Sequence, residues 1–306
     1  MKAVLLKEFG PPENLVLTEV PDPVPGPGEV LIDVEVANIT FVETQLRAGR
    51  PPFPGMLPEL PVILGNGVGG HLRGRLVVSA TGGKGGYSER AVVPAHSPVP
   101  VPDGVELRDA VALLADGRTA TGLIRATAPQ RDEIVLVEAA AGGVGSLLVQ
   151  LAHNAGARVV ALAGGARKVA VASDLGADVA VDYSEPGWEA GVPEVDVVFD
   201  GVGGEAAQRT FALLKEGGRM ISYGAASGGF ARIPDDEAAR RGITLLRGVQ
   251  VTPEQARELT ESALAEAAAG RLRPLIGQTF PLARAADAHA AIERRETIGK
   301  TLLIVR

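Results

Sequence analysis

The stretch 134-IVLVEAAAGGVGSLLVQLAHNAGARVVALAGGARK-168 decides the fold of this chain. An apolar, β-branched run at 134–137 leads into small residues that end at Gly145, and an amphipathic helical pattern closed by Gly156 follows. A second apolar run at 158–162 completes the order strand, glycine turn, helix, strand. Small residues let the backbone approach a pyrophosphate, and a helix N-terminus offers it free N–H groups. The stretch therefore predicts a dinucleotide-binding unit; a tight turn without a ligand is the alternative.

The end of the second strand indicates which dinucleotide is bound. The turn reads A-x-G-x-x-G, with Ala140 where the usual motif has its first glycine. An NAD site usually carries an acidic residue after the second strand, whereas residues 163–168 hold no acid and two bases, Arg167 and Lys168. A carboxylate repels a 2′-phosphate, and these two cations can neutralise it. The pattern favours NADPH over NADH, the alternative being that both bases are solvated residues of the next helix.

Composition and charge limit the class of protein. With 306 residues the chain is long enough for two domains, and its 46% of hydrophobic and 22% of charged residues are typical of a globular protein. A net charge of −7 predicts no attraction to nucleic acid or to an anionic membrane. The absence of cysteine excludes disulfides, thiolate nucleophiles and cysteine-ligated zinc. We find no pattern of a signal peptide or a membrane span, and we expect a cytoplasmic protein.

Two kinds of pattern divide the chain. The first third alternates short β-type runs with proline-rich connections, which predicts an all-β, barrel-like module with strands at 3–6, 15–19, 29–36, 76–79 and 89–93. From Asp109 onward helices alternate with strands, which is typical of a doubly wound parallel sheet. After the glycine-turn unit, strands are expected at 177–183, 195–200, 219–223 and 243–249, and helices at 168–175, 205–215 and 253–269. Runs at 278–281 and 300–305, flanking a helix at 285–294, return to the first module.

The chain resembles the zinc-independent quinone oxidoreductases of the zeta-crystallin type, which belong to the medium-chain dehydrogenase/reductase superfamily. The resemblance spans nearly the whole sequence and rests on the segments PDPVPGPGEVLIDVEVA (21–37), GGYSERAVVPA (85–95), ALLADGRTATGLI (112–124), VLVEAAAGGVG (135–145), LGADVAVDY (175–183), FDGVGG (199–204) and IGKTLLIV (298–305). It implies an α/β protein with two domains. Residues 117–269 would form a doubly wound parallel Rossmann domain that binds NADPH, and residues 1–116 with 270–306 a GroES-like β-barrel catalytic domain.

The resemblance also implies roles for single residues. The expected cofactor-binding residues are Gly142, Gly143 and Val144 at the pyrophosphate, Gly164, Lys168 and Tyr183 at the 2′-phosphate, and Thr119, Val202, Tyr223 and Gly224 along the nicotinamide half. The charge pattern described above adds Arg167 at the 2′-phosphate. Tyr183 has an alternative role as an aromatic covering the strand end, and Thr119 one as a helix-terminal hydroxyl bonded to backbone. The candidate catalytic residues are Thr40, Glu43 and Thr119, and the alternative for the first two is a place in the first turn of a helix.

No metal site is expected. The alcohol-dehydrogenase branch of this superfamily needs Cys and His ligands, but here Gly65-Asn66-Gly67 stands in place of its Gly-His-Glu segment and the first ligand position falls near Thr40. The four histidines are scattered, and each is expected at the surface or at a helix cap: His71, His96, His153 and His289.

Two departures concern the substrate side. The segment after Gly70 is shorter than in the family, which leaves open whether one barrel strand pair near residue 71 is complete or truncated. Thr40 and Glu43 stand where the family commonly has Asn and Asp, and Asn38 is an alternative match for that Asn.

The expected reaction is hydride transfer from NADPH to a quinone or another conjugated carbonyl, without zinc. A quinone accepts a hydride readily and its product can take a proton from water, so no strong general acid is required. One alternative is an NADPH-dependent reductase of activated C=C bonds, such as enoyl or alkenal groups. Another is a non-catalytic NADPH-binding protein with a structural or regulatory role. The run at 243–249 could be an edge strand that pairs across a two-fold axis, which predicts a homodimer.

Overall fold

The computed structural model describes all 306 residues, which divide into two compact units. The first unit comprises residues 1–118 and 253–306, and the second comprises residues 119–252. The strands are β1 (Lys2–Leu6), β2 (Leu15–Glu19), β3 (Glu29–Ile39), β4 (Val62–Ile63), β5 (Gly67–Leu72), β6 (Arg75–Ala80), β7 (Arg90–Pro94), β8 (Val99–Pro100), β9 (Ile134–Val137), β10 (Arg158–Ala163), β11 (Val179–Asp182), β12 (Val195–Asp200), β13 (Leu214–Ser222), β14 (Thr244–Arg247), β15 (Ile276–Pro281) and β16 (Lys300–Ile304). The helices are α1 (Phe41–Arg47), α2 (Leu107–Thr127), α3 (Gly143–Asn154), α4 (Ala166–Asp174), α5 (Gly204–Ala212), α6 (Asp235–Arg240), α7 (Pro253–Ala268) and α8 (Ala285–Glu293).

The second unit is built on a parallel sheet of six strands in the order β11-β10-β9-β12-β13-β14. The apolar strands β9, β10 and β12 occupy its centre and are almost wholly buried, as expected when helices cover a parallel sheet. The strand order reverses between β9 and β12, and in such sheets ligands bind at the carboxyl ends of the strands beside that point. The predicted doubly wound parallel fold is confirmed.

Some boundaries in this unit differ from the prediction. Helix α5 ends at Ala212 rather than at Lys215, because Leu214 is already paired with Val195. Strand β13 therefore starts five residues before the expected position 219, and its register shifts between Val195 and Val197 of β12. Strand β14 spans only Thr244–Arg247, since its partner β13 ends at Ser222, opposite Arg247.

Helix α7 lies in the first unit, whereas the sequence assigns it to the domain of residues 117–269. One reason is the side chain of Arg257, whose Nη1 donates hydrogen bonds to the carbonyl oxygens of His96 and Pro98, both at 2.9 Å. From the sequence, an amphipathic helix that follows a strand is assigned to the same doubly wound unit. The contacts of Arg257 with residues some 160 positions away leave no local pattern in the sequence from which to correct that assignment. Which domain binds the cofactor and which the substrate stays a prediction.

The first unit is built mainly from antiparallel strands. Strands β2, β1 and β4 form one sheet, and β15, β16, β3, β5, β6 and β8 form the larger one, where β7 also pairs with β3. The long strand β3 thus contacts three partners. The hydrophobic core of the first unit joins buried residues of both sheets, such as Leu6 and Ile32, to Ala288 of α8.

The segment after Gly70 forms a complete hairpin. Strand β5 pairs with β6 from Gly67 opposite Ala80 to Leu72 opposite Arg75. The turn contains only Arg73 and Gly74, with φ angles of 50° and 79°, and two residues with positive φ match the twist of a hairpin. Of the two alternatives that the sequence leaves open, the complete strand pair is therefore the one observed.

No helix of the chain combines the length and the apolar character needed to cross a membrane.

Candidate functional site

The glycine turn lies between β9 and α3. Gly142 is the N-cap of α3 and Gly143 its first residue, so the N–H groups of the first helical turn have no acceptor within the helix. Gly145 has no room for a side chain, because a Cβ there would lie 2.3 Å from the carbonyl oxygen of Ala139. The helix therefore starts very close to the strand end and presents a backbone surface that a phosphate group can approach.

Ala139 and Ala140 lie where the motif has its first glycine, and they differ in backbone conformation. Ala139 has a φ of 49°, in the left-handed region that favours glycine. Ala140 is fully buried, and its N–H donates a 3.0 Å hydrogen bond to the carbonyl oxygen of Leu162. The left-handed residue of the turn is thus one position earlier than the motif Ala140-x-Gly142 suggests.

The turn after β10 carries the residues expected at the 2′-phosphate. A Cβ on Gly164 would lie 3.5 Å from the ring of Tyr183, so that ring covers the glycine. Arg167 and Lys168 lie on the first turn of α4, where Arg167 is exposed and Lys168 is half-buried. The structure brings these four residues together at the carboxyl ends of β10 and β11.

Asp182, the last residue of β11, holds this turn by hydrogen bonds and was not among the residues predicted from the sequence. Its Oδ1 accepts hydrogen bonds from the N–H groups of Gly165 and Ser184, both at 2.9 Å, and from the Ser184 hydroxyl. These hydrogen bonds lower the pKa of Asp182 below its ordinary value, and the bond from Gly165 has the largest effect. The carboxylate thereby fixes the loop under Tyr183. An Asp two residues before a Ser is a turn signal that could have found it.

The turn after β12 packs against the end of β13. A Cβ on Gly201 would lie 2.6 Å from the hydroxyl oxygen of Tyr223, and one on Gly224 would lie 2.3 Å from the carbonyl oxygen of Gly201. The Tyr223 hydroxyl donates a 3.5 Å hydrogen bond to the carbonyl oxygen of Glu138, the residue after β9. Val202, Tyr223 and Gly224, expected along the nicotinamide half, are thus brought together at one edge of the sheet.

Two carboxyl groups are buried beneath this turn. The Val202 N–H faces both of them, at 3.0 Å from Oε2 of Glu138 and 3.2 Å from Oδ1 of Asp200. The Gly203 N–H donates to Asp200 Oδ1 at 2.7 Å, and the Thr210 hydroxyl donates to Glu138 Oε1 at 2.7 Å. Burial, and then the Asp200 carboxylate, raise the pKa of Glu138 well above its ordinary value. Both residues lie within the motifs VLVEAAAGGVG and FDGVGG, but neither had a predicted role.

A cavity of about 180 Å³ lies beside the acid pair in the second unit. Its walls are Glu138, Leu162, Tyr183, Trp188, Val202, Glu205, Ala206, Arg209 and Thr210. Trp188 is the only tryptophan of the chain and is buried, with the Arg209 guanidinium 5.0 Å from the centre of its ring. The cavity therefore joins aromatic and aliphatic walls to a buried acid.

Thr40 and Glu43 begin helix α1 in the first unit. Glu43 is only 2% exposed, and its Oε2 accepts hydrogen bonds from the N–H and the hydroxyl of Thr40 at 2.5 and 2.9 Å. Its Oε1 accepts a 2.7 Å hydrogen bond from the Asn66 N–H. Burial raises the pKa of Glu43, although these bonds and Lys300 act in the opposite direction. Glu43 thus takes the first-turn position named as its alternative, whereas Thr40 is the N-cap just before that turn, and both carboxylate oxygens of Glu43 bond within the protein.

Thr119 lies in the interior of α2 and in the second unit. The alternative stated for Thr119, a hydroxyl at the end of a helix, is therefore wrong. The three candidate catalytic residues do not share one compact unit, since Thr40 and Glu43 belong to the first.

The expectation that every histidine lies at the surface or at a cap is wrong for His289. This residue is fully buried in α8, and its Nε2 lies 3.0 Å from the hydroxyl of the equally buried Tyr87. Burial lowers the pKa of His289 to about 3, so the ring is neutral. His71, in contrast, is exposed and lies 2.6 Å from Glu35. A lone histidine on a helix gives no sequence signal for a partner some 200 residues away.

A zinc ion does not fit the residues present. No three or more His, Asp or Glu side chains are grouped so that they could hold a metal ion, and the chain has no cysteine. Around Thr40 and Asn66, the positions of zinc ligands in the alcohol-dehydrogenase branch, the Glu43 carboxylate links the two backbone segments. We derive no step through a metal, and metal independence of the activity stays a prediction.

Comparison with known proteins agrees with this geometry. The family of zinc-binding dehydrogenases matches residues 175–303. A 2-haloacrylate reductase of Burkholderia is 30% identical over 99% of this chain and 98% of its own length. A quinone oxidoreductase of Pseudomonas aeruginosa is 30% identical over 99% of each chain. The crystal structure of Escherichia coli quinone oxidoreductase complexed with NADPH has a TM-score of 0.90 at 28% identity and covers 100% of both chains.

A doubly wound sheet with a glycine turn, joined to an antiparallel β unit, defines the medium-chain dehydrogenase/reductase class. Within it, this chain belongs to the quinone oxidoreductase family, as the resemblance predicts.

Proposed function

We propose that this protein is an NADPH-dependent oxidoreductase that transfers a hydride to a quinone. The observation that carries the proposal is the arrangement at the carboxyl edge of the parallel sheet. There a glycine turn that starts α3 lies beside a second turn with two bases and a covering tyrosine. Relatives that this chain matches over nearly their whole length are named as quinone oxidoreductases, and one was solved with NADPH, which supports the proposal.

The residues of the second unit hold the cofactor. The first N–H groups of α3, at Gly143 and Val144, stabilise the pyrophosphate because the helix N-terminus carries a partial positive charge. Lys168 and Arg167 offset the charge of the 2′-phosphate, and Tyr183 lies beside it. When bound, NADPH supplies the hydride. Thr119, Val202, Tyr223 and Gly224 form the surface on which we place its nicotinamide half.

The first unit orders the substrate side. Because Glu43 uses both oxygens on the backbone of Thr40 and Asn66, we assign it the positioning of these two segments. Thr40 lies at the end of β3 and is the candidate that contacts substrate or nicotinamide. A quinone needs little more, since it is electron-poor and its reduced oxygen can take a proton from water.

A reductase of activated C=C bonds is the second candidate. The relative named as a 2-haloacrylate reductase favours it, because its name describes an alkene conjugated to a carboxylate. Such a reaction requires a proton donor near the α-carbon, a requirement that quinone reduction lacks.

The test is NADPH oxidation followed with 1,4-quinones, 2-alkenals, 2-haloacrylates and enoyl thioesters as acceptors, beside calorimetric titration of NADPH. We expect turnover with quinones to exceed that with every alkene. Faster turnover of an alkene would move the protein to the second candidate. NADPH binding without any turnover would indicate the non-catalytic role.

We also propose a homodimer formed through β14, the edge of the six-stranded sheet, which has a partner strand on one side only. Light scattering coupled to gel filtration should give twice the chain mass of 31.5 kDa. A monomer at the concentrations used in the assay would contradict this. We propose a cytoplasmic location as well, in keeping with a chain that carries no cysteine.

A further inference from the structure

The buried acid pair under the turn at 200–203 lacks one hydrogen-bond donor. Glu138 is 1% exposed and Asp200 is 0% exposed. Asp200 Oδ1 accepts from two backbone N–H groups, whereas its Oδ2 is buried without a partner. Two carboxylates are acceptors only, and the single N–H of Val202 faces both of them. One proton on the pair would supply the missing donor.

The hydrogen bonds to the two carboxyl groups come from backbone N–H groups and a hydroxyl, and none comes from a cation. The neighbouring groups are the Thr210 hydroxyl on α5, the Tyr223 hydroxyl after β13, and the cavity residues Tyr183, Glu205 and Arg209. The Arg209 guanidinium is bonded to Glu189 and lies over the Trp188 ring. Burying a carboxylate without a paired cation is strongly unfavourable, so the pair is most stable with a single charge.

Glu138 also joins the elements that form the candidate cofactor site. Its backbone N–H donates to the carbonyl oxygen of Phe199 at 3.1 Å, and its own carbonyl oxygen accepts from Tyr223. Its side chain reaches Val202 in the turn and Thr210 in α5. It lies one residue before Ala139, where the glycine turn begins.

We propose that Glu138 is a positioning residue which stays protonated at neutral pH, donates its carboxyl O–H to Oδ2 of Asp200, and so holds the turn at 200–203 in the shape that binds the dinucleotide. The part concerning the dinucleotide rests on the proposed function; the shared proton does not. The raised pKa of Glu138 accords with it.

The sign of the pH dependence follows. A carboxyl whose pKa is higher in the folded than in the unfolded protein stabilises the fold below its unfolded pKa, and this contribution is lost as the pH rises through the folded value. The melting temperature should therefore fall on the alkaline side. The dissociation constant for NADPH should rise there with a slope of about one log unit per pH unit, if binding requires the proton.

Glu138→Gln is the decisive variant, because its amide N–H can donate to Asp200 Oδ2 while its oxygen still accepts from Val202 or Thr210. We expect it to bind NADPH within about threefold of wild type at neutral pH and to lose the alkaline slope. Glu138→Ala should bind at least about tenfold more weakly at every pH, since Oδ2 then has no donor. Glu216→Gln, a change at an exposed carboxylate of the same unit, is the matched control and should keep the wild-type slope.

Infrared spectroscopy tests the proton itself without any cofactor. The difference spectrum of wild type minus Glu138→Gln at neutral pH should show the carbonyl stretch of a protonated carboxylic acid, and taking the difference removes any contribution of Glu43, whose pKa burial also raises. Absence of the band from this difference spectrum, or a Glu138→Gln variant with an unchanged alkaline slope in its melting temperature, would overturn the proposal. If wild type failed to bind NADPH at all, the proposed function would fail, while the band and the melting profile would still decide the state of Glu138.

Discussion

Replacing Gly145 by alanine tests the close approach of α3 to the end of β9. The new Cβ would lie 2.3 Å from the carbonyl oxygen of Ala139 and 3.0 Å from the Cα of Ala140. Ordinary contacts between a carbon and a carbonyl oxygen need about 1 Å more than the shorter of these distances. Both neighbours are backbone, so no side-chain rotation can relieve the overlap and the helix start has to move.

The magnitude follows from two opposing effects. Overpacking of this kind costs about 1–3 kcal/mol, while alanine gains up to about 1 kcal/mol over glycine inside a helix. We expect a net loss of about 1–2 kcal/mol, which lowers the melting temperature by about 2–8 °C for a unit of this size. NADPH should bind at least about tenfold more weakly, because the N–H groups of α3 retreat from the pyrophosphate.

The measurement pairs a thermal melt with calorimetric titration of NADPH. Gly142→Ala is the control for stability: its Cβ would lie 3.1 Å from the same oxygen, a distance that a shift of a few tenths of an ångström relieves. A Gly145→Ala variant that melted and bound like wild type would refute the reasoning from the short distance. Equal destabilisation by both variants would refute it as well.

Three further outcomes are expected. Lys168→Ala should weaken NADPH about 10- to 100-fold in calorimetric titration and leave NADH nearly unchanged, because it removes a charge-assisted contact to the 2′-phosphate; an equal loss for both would exclude that contact. Quinone reduction should survive exhaustive 1,10-phenanthroline, with no stoichiometric zinc by elemental analysis, and chelator-sensitive activity restored by zinc would contradict this. Ala128→Gly should raise the free energy of unfolding in urea by about 0.5–1 kcal/mol, because Ala128 follows α2 with a φ of 43°, a region that favours glycine. The control Ala126→Gly, inside α2, should lower the free energy of unfolding by a similar amount. A loss of stability in both variants would argue against strain at residue 128.

The parallel sheet was predictable from the sequence because its signals are local. A β-branched run, small residues and an amphipathic stripe lie within 35 residues, and β9 spans the same residues 134–137 in the structure as in the prediction. The boundary of α5 was not predictable in the same way. Residues 213–215 continue the helical pattern and residues 216–218 have the composition of a turn, so only the pairing of Leu214 with Val195 in β12 places them in a strand.

The candidate site likewise has residues with a local sequence signal and residues that depend on long-range contacts. Gly142, Gly164 and Lys168 follow strands with strong patterns, so their place at one edge of the sheet could be inferred. Glu138 directly follows β9 and Asp200 is the last residue of β12, so their contact depends on β9 and β12 being neighbours. The buried hydrogen bond between His289 and Tyr87 depends on a contact across some 200 residues. Charge states of this kind arise from burial, which periodicity alone does not measure.

The single tryptophan gives this protein a built-in optical probe. Trp188 lies in the wall of the cavity shared with Tyr183 and Val202, and no second indole contributes to its emission. Its fluorescence therefore reports one place in the second unit, and the dihydronicotinamide ring absorbs in the range where an indole emits. Quenching of that emission on mixing would follow the arrival of the dinucleotide in real time, before any acceptor is added. The Arg209 guanidinium over the ring gives a second signal, because a change in the stacking of Arg209 on Trp188 alters the emission without energy transfer to the dinucleotide.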